Sequence, residues 1–233
     1  MKILAIDTSG REAGAAIMDE YITIGEIMIN AQSGPKTWHH SQILMPAIEQ
    51  MFTLSGQEIA DMDYVAYTSG PGSFTGIRIG ASTALGLARG INRPAIPVPT
   101  LDALAYNMLG IEMGGLIVPL LDARKGQVYA AIYQGNMARL TDYFAAPIEE
   151  VVAQVKEMGA TVVTYLGDGA CANIHTIMAL HPGAKLAPQN SNRQRPASVA
   201  LCAFHQLKTA PPANQVELIY VREPEAVRSL KKT

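Results

Sequence analysis

The chain has 233 residues, enough for one large or two small domains with a substantial core. Hydrophobic residues make up 48 % and charged residues only 16 %, a sparsely charged composition that favours subunit contacts. The net charge of −2 gives no electrostatic signature of independent nucleic-acid binding. Cys171 and Cys202 lack metal-ligand spacing, which argues against a disulfide framework and favours a reducing cytoplasm.

The first half predicts three strands followed by a helix, a strand and a helix. The apolar run after Met1 soon reaches Asp7, so it predicts a buried strand and neither a signal peptide nor a membrane span. Apolar runs predict the other strands, and apolar residues at helical spacing predict the helices. The predicted elements are strands Lys2–Asp7, Gly14–Met18 and Thr23–Asn30, helix His40–Leu54, strand Tyr64–Tyr67 and helix Thr75–Arg89.

The second half repeats this order after a boundary predicted near Pro97 and Pro99. A helix over Leu101–Leu109 leads into it. The repeated elements are strands Leu116–Leu121, Gln127–Tyr133 and Arg139–Phe144, helix Ile148–Met158, strand Thr161–Leu166 and helix Ala172–Leu180. A tail follows, with a helix at Ala197–Leu207 and a short strand at Val216–Tyr220.

Three antiparallel strands followed by helix, strand and helix form a ribonuclease-H-like unit. Two such βββαβα units in tandem predict an α/β fold of the actin, sugar-kinase and Hsp70 (ASKHA) architecture, with a reduced second half. We therefore expect an N-terminal domain over residues 1–100, carrying the dimerisation helices, and a smaller C-terminal domain over 101–233. The tail, residues 197–233, could pack back on the first domain.

A glycine-rich run, TSGPGSFTGIRIG, occupies Thr68–Gly80 at the predicted strand–helix junction. It matches neither the Walker A loop, because the lysine is missing, nor the GxGxxG spacing. Small residues recur every fourth position in the helix, which gives one face almost without side chains. That face indicates close packing, either on the domain's own sheet or on a helix of a partner subunit. The small residues are Gly76, Gly80, Ala84 and Ala88.

The helix predicted over His40–Leu54 has an apolar face that is wider than one sheet requires. Met45 and Phe52 extend the apolar surface beyond the main face. Together with the small-residue helix, it predicts a four-helix contact between two similar subunits, and ordinary core packing is the alternative. The main face consists of Ile43, Leu44, Ala47, Ile48 and Met51.

Acidic and glycine residues end corresponding strands of the two halves. Asp7, Thr8 and Ser9 end the first strand, and Asp122 stands at the matching turn of the second half. The sequence LGDGA supplies Gly167 and Gly169 after a later strand, where glycine allows a nucleoside to approach the backbone. These residues predict a nucleotide cleft, functional or vestigial, although each of them also suits an ordinary turn.

No catalytic constellation accompanies these turns. The adjacent pair His39–His40 has neither HxxxH nor HExxH spacing, so we predict no metal site. Neither cysteine is next to a histidine, and no GxSxG elbow occurs. Nucleophilic hydrolysis is therefore unsupported by the sequence.

The chain resembles the TsaB (YeaZ) family nearly from end to end, and five segments carry the resemblance. That family is a bacterial subunit of the machinery that forms threonylcarbamoyladenosine at position 37 of tRNAs that read codons starting with A. The matching segments are MKILAIDTS, HSQILMPAIEQM, TSGPGSFTGIRIG, DARKGQVYA and the tail IYVRE.

The resemblance implies a non-catalytic paralogue of TsaD, the transferase that carries the metal-binding HxxxH pair. It implies that the chain binds TsaD, with the ATPase TsaE joining, and pairs with itself as a homodimer in isolation. No cofactor is expected for the chain alone, ATP or ADP only in the complex, and tRNA only indirectly. The implied contact residues are Ile43, Leu44, Ala47, Ile48, Met51, Gly76, Ile77, Gly80, Ala81 and Ala84.

Two alternatives remain open on the sequence. An ASKHA-type kinase or ATPase would use Asp7 and Asp122 around Mg²⁺. A metal-dependent glycoprotease is the other, although the sequence offers no ligand pair for its metal.

Overall fold

The computed structural model describes residues 1–31, 38–111, 114–209 and 217–222. They form two compact units. Unit 1 comprises Met1–Tyr106 and Gln194–Leu218, and unit 2 comprises Asn107–Arg193 and the described residues from Ile219 onward. The division expected at residue 100 differs from this one, because the helix that begins at Thr100 and the helix of the tail both belong to unit 1.

The elements follow one another in the predicted alternation of strands and helices. The described residues also form short 3-10 turns at Ile59–Asp61, Tyr106–Met108 and Gln189–Ser191. The strands are β1 (Lys2–Asp7), β2 (Glu12–Asp19), β3 (Thr23–Asn30), β4 (Tyr64–Gly70), β5 (Ala95–Pro99), β6 (Leu116–Asp122), β7 (Val128–Ala130), β8 (Tyr133–Gln134), β9 (Phe144–Ala146), β10 (Val163–Leu166) and β11 (Lys185–Leu186). The helices are α1 (His40–Ser55), α2 (Phe74–Gly90), α3 (Thr100–Ala105), α4 (Ile148–Glu157), α5 (Asp168–Ala172), α6 (Ile174–Leu180) and α7 (Pro196–Thr209).

Unit 1 is a five-stranded sheet with helices on both faces. The strand order is β3-β2-β1-β4-β5, with β1, β2 and β3 antiparallel and β4 and β5 parallel to β1. Successive side chains of a strand point to opposite faces. Leu4 and Ile6 therefore pack in the core beneath α1 and α2, whereas Ile3 and Ala5 pack with α7.

Unit 2 repeats this topology. Its sheet has six strands. Five of them follow the order β9-β7-β6-β10-β11, which matches β3-β2-β1-β4-β5 of unit 1, and the two-residue β8 pairs with β6 outside this path. Its core joins Val118 and Leu120 of β6 to Val151 and Val155 of α4. The predicted tandem of ribonuclease-H-like units in an ASKHA-type fold is thereby confirmed.

Several predicted elements are wrong in detail. The strand predicted over Gln127–Tyr133 is split into β7 and β8 at Ala131–Ile132, where Ile132 N donates a hydrogen bond to Thr141 Oγ1. The strand predicted over Arg139–Phe144 is a strand only at its last residue, where β9 begins. The predicted helix Ala172–Leu180 breaks at Asn173, whose side chain donates to Gly169 O. Residues 217–220 of the predicted last strand are not in a strand, and Val216 lies outside the described residues.

Two strands were not predicted. β5 contains Pro97 and Pro99, which the sequence suggested as a boundary. Proline is tolerated there because β5 is the edge strand of its sheet, where one row of backbone N–H groups needs no partner. The two-residue β11 is too short for any periodicity to indicate it.

Glu26 of β3 fastens α7 to the sheet of unit 1. Its carboxylate accepts hydrogen bonds from the backbone N–H of Ala197, at 3.0 Å, and from the guanidinium of Arg195. Ala197 lies in the first turn of α7, where backbone N–H groups lack partners within the helix and a negative charge is favourable. Arg195, which precedes α7, has no side-chain acceptor, so Glu26 of β3 caps the N-terminus of the helix instead.

We predict that Glu26→Ala lowers the free energy of unfolding by about 2 kcal/mol and that Glu26→Gln lowers it by about 1 kcal/mol. Glutamine keeps an acceptor for the helix but loses the charge. Urea denaturation of the full chain measures both values. The control Glu49→Ala, at an exposed position of α1, should change it by less than about 0.5 kcal/mol. Equal effects at both glutamates would contradict the capping role.

Candidate functional site

The ten predicted contact residues lie in the core of unit 1. Every one of them is buried, and those of both helices pack against the sheet. They are thus used by the core of the single chain, and their part in a contact with another protein stays a prediction. The main apolar stripe of an amphipathic helix covers its own sheet first. The residues concerned are Ile43, Leu44, Ala47, Ile48, Met51, Gly76, Ile77, Gly80, Ala81 and Ala84.

The small-residue face of α2 packs on the end of β1. A Cβ atom at Gly76 would lie 2.0 Å from the carbonyl oxygen of Thr8, and one at Gly80 would lie 2.3 Å from its Oγ1. The Thr8 hydroxyl also donates a hydrogen bond of 2.7 Å to Gly76 O. Of the two interpretations offered by the sequence, packing on the domain's own sheet therefore describes these glycines.

Other apolar side chains of α1 and α2 remain exposed. Met45 is 46 % exposed, Leu54 75 % and Phe74 38 %. Phe52 and Ile79 are half-buried at the margin of the core. We call these five residues the α1–α2 surface. It is distinct from the buried faces of the two helices.

Asp7 lies in a closed turn at the end of β1. Its Oδ1 accepts hydrogen bonds from Ser9 N at 2.8 Å, Ser9 Oγ at 2.6 Å and Thr68 Oγ1 at 3.1 Å. Its Oδ2 is buried and has no partner among the described residues. Burial raises the pKa of Asp7 from 3.8 to about 6, and the bonds from Ser9 and Thr68 only partly oppose this.

The N-terminus of α2 closes over the same turn. Ser73 N donates to Ser9 O at 2.7 Å, and Ser73 Oγ accepts from Gly76 N at 3.2 Å as the helix cap. Asp7 is consequently only 4 % exposed, and its carboxylate reaches no ligand from solvent in this conformation.

Unit 2 has a corresponding turn with a different exposure. Asp122 Oδ1 accepts from Arg124 N at 2.7 Å, the same two-residue spacing that links Asp7 to Ser9. Its backbone N–H donates to Asp168 Oδ1 at 3.1 Å. Unlike Asp7, Asp122 is exposed.

The LGDGA segment of unit 2 lies beside that turn. A Cβ atom at Gly169 would lie 2.9 Å from the carbonyl carbon of Leu120, so only glycine fits there. Gly167 has a φ of 100° and donates its N–H to Asn192 Oδ1 at 3.0 Å. The structure therefore brings Asp122 together with Gly169 within unit 2, and Asp7 together with Thr8 and Ser9 within unit 1. The nucleotide cleft stays a prediction.

The sequence analysis did not identify two buried polar residues, Asn192 and Gln194. Asn192 is buried and donates to Ala187 O at 2.6 Å, and the buried Gln194 packs its amide against Gly10. Both lie in the run QNSNRQ, whose composition is typical of an exposed loop. No local pattern indicates that such residues fold inward, because their partners are distant in the sequence.

The adjacent histidines occupy unlike positions at the start of α1. His39 precedes the helix and is exposed, and its backbone N–H donates to Gln42 Oε1 at 3.0 Å. His40 is half-buried, and its Nδ1 would lie 3.0 Å from a Cβ atom at Gly76. Burial lowers the pKa of His40, and a hydrogen bond to the Arg11 backbone opposes this.

The described ranges contain neither a cluster of metal-ligating side chains nor a membrane-spanning helix. Over residues 1–31, 38–111, 114–209 and 217–222, no three histidine, cysteine or acidic side chains converge as metal ligands would. In the same ranges, no helix has the length and apolar character needed to cross a membrane.

Sequence comparison finds relatives over a little more than half of the chain. A family model described as TsaD, tRNA N6-adenosine threonylcarbamoyltransferase, matches residues 36–180. The tRNA threonylcarbamoyladenosine biosynthesis protein TsaB of Bacillus subtilis (strain 168) is 38 % identical over 134 residues, which cover 58 % of this chain and 56 % of that protein. TsaB of Escherichia coli (strain K12) is 37 % identical over 134 residues, 58 % of this chain and 55 % of that protein. The chain thus spans about half the length of the curated relatives it matches.

Structural comparison extends the likeness of fold over almost the whole chain. YeaZ from Pseudomonas aeruginosa has a TM-score of 0.78 at 24 % identity, covering 94 % of this chain and 99 % of that one. ROK hexokinase from Thermus thermophilus has a TM-score of 0.54 at 12 % identity, covering 89 % of this chain and 100 % of that one. Since the family model covers more than half of its residues, the chain belongs to the TsaD family, in which it is similar to the TsaB (YeaZ) proteins.

Proposed function

We propose that this protein is a non-catalytic subunit required to form the threonylcarbamoyl group on N6 of adenosine 37 in tRNAs that read codons starting with A. The observation that carries the proposal is the match to two curated TsaB proteins at 38 and 37 % identity. Their names assign them to the biosynthesis of threonylcarbamoyladenosine. The likeness in fold to YeaZ over 94 % of the chain supports it.

The closed turn at Asp7 supports a non-catalytic role. A carboxylate that faced metal-bound phosphates would have to meet solvent, and Asp7 is 4 % exposed beneath the α2 N-terminus. Its Oδ1 is occupied by three hydrogen bonds from Ser9 and Thr68. The transfer step then belongs to a TsaD-type partner, and ATP or ADP binds only in the assembled complex.

The α1–α2 surface is the proposed contact for the TsaD-type transferase. Exposed Met45, Leu54 and Phe74 supply the large apolar side chains that protein interfaces bury at their centre. In the absence of that partner, the same surface pairs two copies of this chain about a two-fold axis. TsaE joins the assembly, which works in the cytoplasm, and tRNA is bound by the complex and not by this chain alone.

A charge on this surface should prevent assembly without unfolding the protein. We expect Met45→Glu with Leu54→Glu to weaken binding of the TsaD-type transferase at least tenfold, about 1.4 kcal/mol, because an unpaired carboxylate would be buried. Co-purification followed by light scattering measures the complex, and incorporation of threonylcarbamoyl into tRNA measures the function. Ile22→Glu, at a position 60 % exposed in the β2–β3 turn, is the matched control and should bind normally.

Two results would contradict the proposal. If the unmodified chain did not bind the transferase but bound ATP tightly, the kinase or ATPase alternative would replace the subunit role. If the double variant and Ile22→Glu bound the transferase equally well, the subunit role could stand but the α1–α2 surface would not be its contact.

A further inference from the structure

The turn between β6 and β7 holds three successive residues in the left-handed region. Arg124 has a φ of 59°, Lys125 of 56° and Gly126 of 73°. Glycine and asparagine adopt this conformation readily, whereas long side chains with a Cβ atom disfavour it. Arg124 and Lys125, two adjacent cations, therefore have a backbone conformation that glycine or asparagine would adopt more readily.

Contacts on both sides fix this turn. Asp122 Oδ1 accepts from Arg124 N at 2.7 Å, and Arg124 O accepts from Gln127 N at 3.2 Å. Arg222 donates from its guanidinium to Ala123 O at 2.9 Å. A disfavoured backbone conformation persists where the surroundings determine it, and such positions concentrate at functional sites.

The charges are presented to solvent. The side chains of Arg124 and Lys125 are exposed, and Arg222 brings a third cation to the same turn. Asp122 and Asp168 of the same region accept hydrogen bonds from backbone N–H groups. Arg124 and Lys125 lie at the exposed tip of the turn.

We propose that this turn, Ala123–Gln127, is a contact for the phosphate backbone of tRNA within the assembled complex. The inference rests on the proposed function. Arginine can hold a phosphate through two parallel N–H donors, and lysine adds a point charge. An exposed tip cannot enclose a small anion, so a useful affinity requires a polyanion whose other phosphates are bound elsewhere.

Asparagine substitutions separate the charges from the fold. Arg124→Asn with Lys125→Asn removes both cations but suits the left-handed backbone, so the double variant should melt no lower than the unmodified protein. We expect its complex with the transferase to assemble normally and to bind unmodified tRNA about tenfold more weakly in low salt. The slope of log affinity against log salt should fall by about 1 for each cation that contacts a phosphate.

The measurement is fluorescence anisotropy of labelled tRNA with the purified complex over a range of salt concentrations. Lys185→Asn with Arg193→Asn removes two other exposed cations of unit 2 and is the charge-matched control. In modification assays the hairpin variant should raise KM for tRNA and leave kcat near its original value.

Several outcomes would overturn the inference. Unchanged affinity and salt slope in an intact complex would show that the turn does not contact RNA. An equal loss in the control variant would show a net-charge effect. Failure of the hairpin variant to assemble would make the turn a protein contact. If the unmodified chain formed no complex at all, the proposed function would fail, and this inference would fail with it.

Discussion

Gly76→Ala is expected to lower the free energy of unfolding by about 3 kcal/mol. The added Cβ atom would lie 2.0 Å from the Thr8 carbonyl oxygen, which is backbone and cannot rotate away. Either α2 or the end of β1 must shift, and the 2.7 Å hydrogen bond from Thr8 Oγ1 to Gly76 O would be strained or lost. Urea denaturation of the full chain, followed by circular dichroism, measures the change.

Gly86→Ala is the matched control in the same helix. A Cβ atom there meets nothing within 4 Å, so alanine should stabilise the helix by up to about 1 kcal/mol. The same glycine-to-alanine change is therefore expected to lower the free energy of unfolding at Gly76 and to raise it at Gly86. If both were neutral, α2 would not pack on Thr8 as described. Substitutions at Gly80 or Ala84 likewise act on the fold of unit 1, because both positions are buried.

Asp7→Asn is expected to stabilise the protein, relative to the wild type, more at pH 8 than at pH 4. The folded-state pKa of Asp7 is raised from 3.8 to about 6, so the folded state binds more protons than the unfolded state between these values. The contribution of Asp7 is fully present below pH 3.8 and is lost as the pH rises through 6. By this linkage the wild type loses roughly 3 kcal/mol over that window, and asparagine, which does not titrate, does not.

The test compares the free energies of unfolding of Asp7→Asn and the wild type at pH 4 and at pH 8. The advantage of the variant should grow with pH, and the titration of all other groups cancels in the comparison. The asparagine side chain of the variant can still accept the bonds from Ser9 and Thr68 through its Oδ1. An advantage independent of pH would mean that the Asp7 carboxyl keeps an ordinary pKa.

Local patterns predicted most of the elements. The bounds of β1 and β3 agree with the prediction, and α1 and α2 differ from it by one residue at most at each end. Periodicity and capping residues act over a few positions, so they are readable without knowing the fold. The strand that breaks between Ala130 and Tyr133 and the strand that carries Pro97 departed from prediction, because a hydrogen bond to the Thr141 side chain and an edge position overrode local preference.

The sequence by itself determined the tandem order of βββαβα units, the glycine–serine junction before α2 and the acidic turns at Asp7 and Asp122. Only the tertiary structure decided that the apolar faces of α1 and α2 are used by the core, that Asp7 is enclosed and Asp122 exposed, and that Asn192 folds inward. The physical reason is that burial depends on contacts between residues far apart in the chain. Thr8 meets Gly76, and Gly167 meets Asn192, only after the sheets have formed.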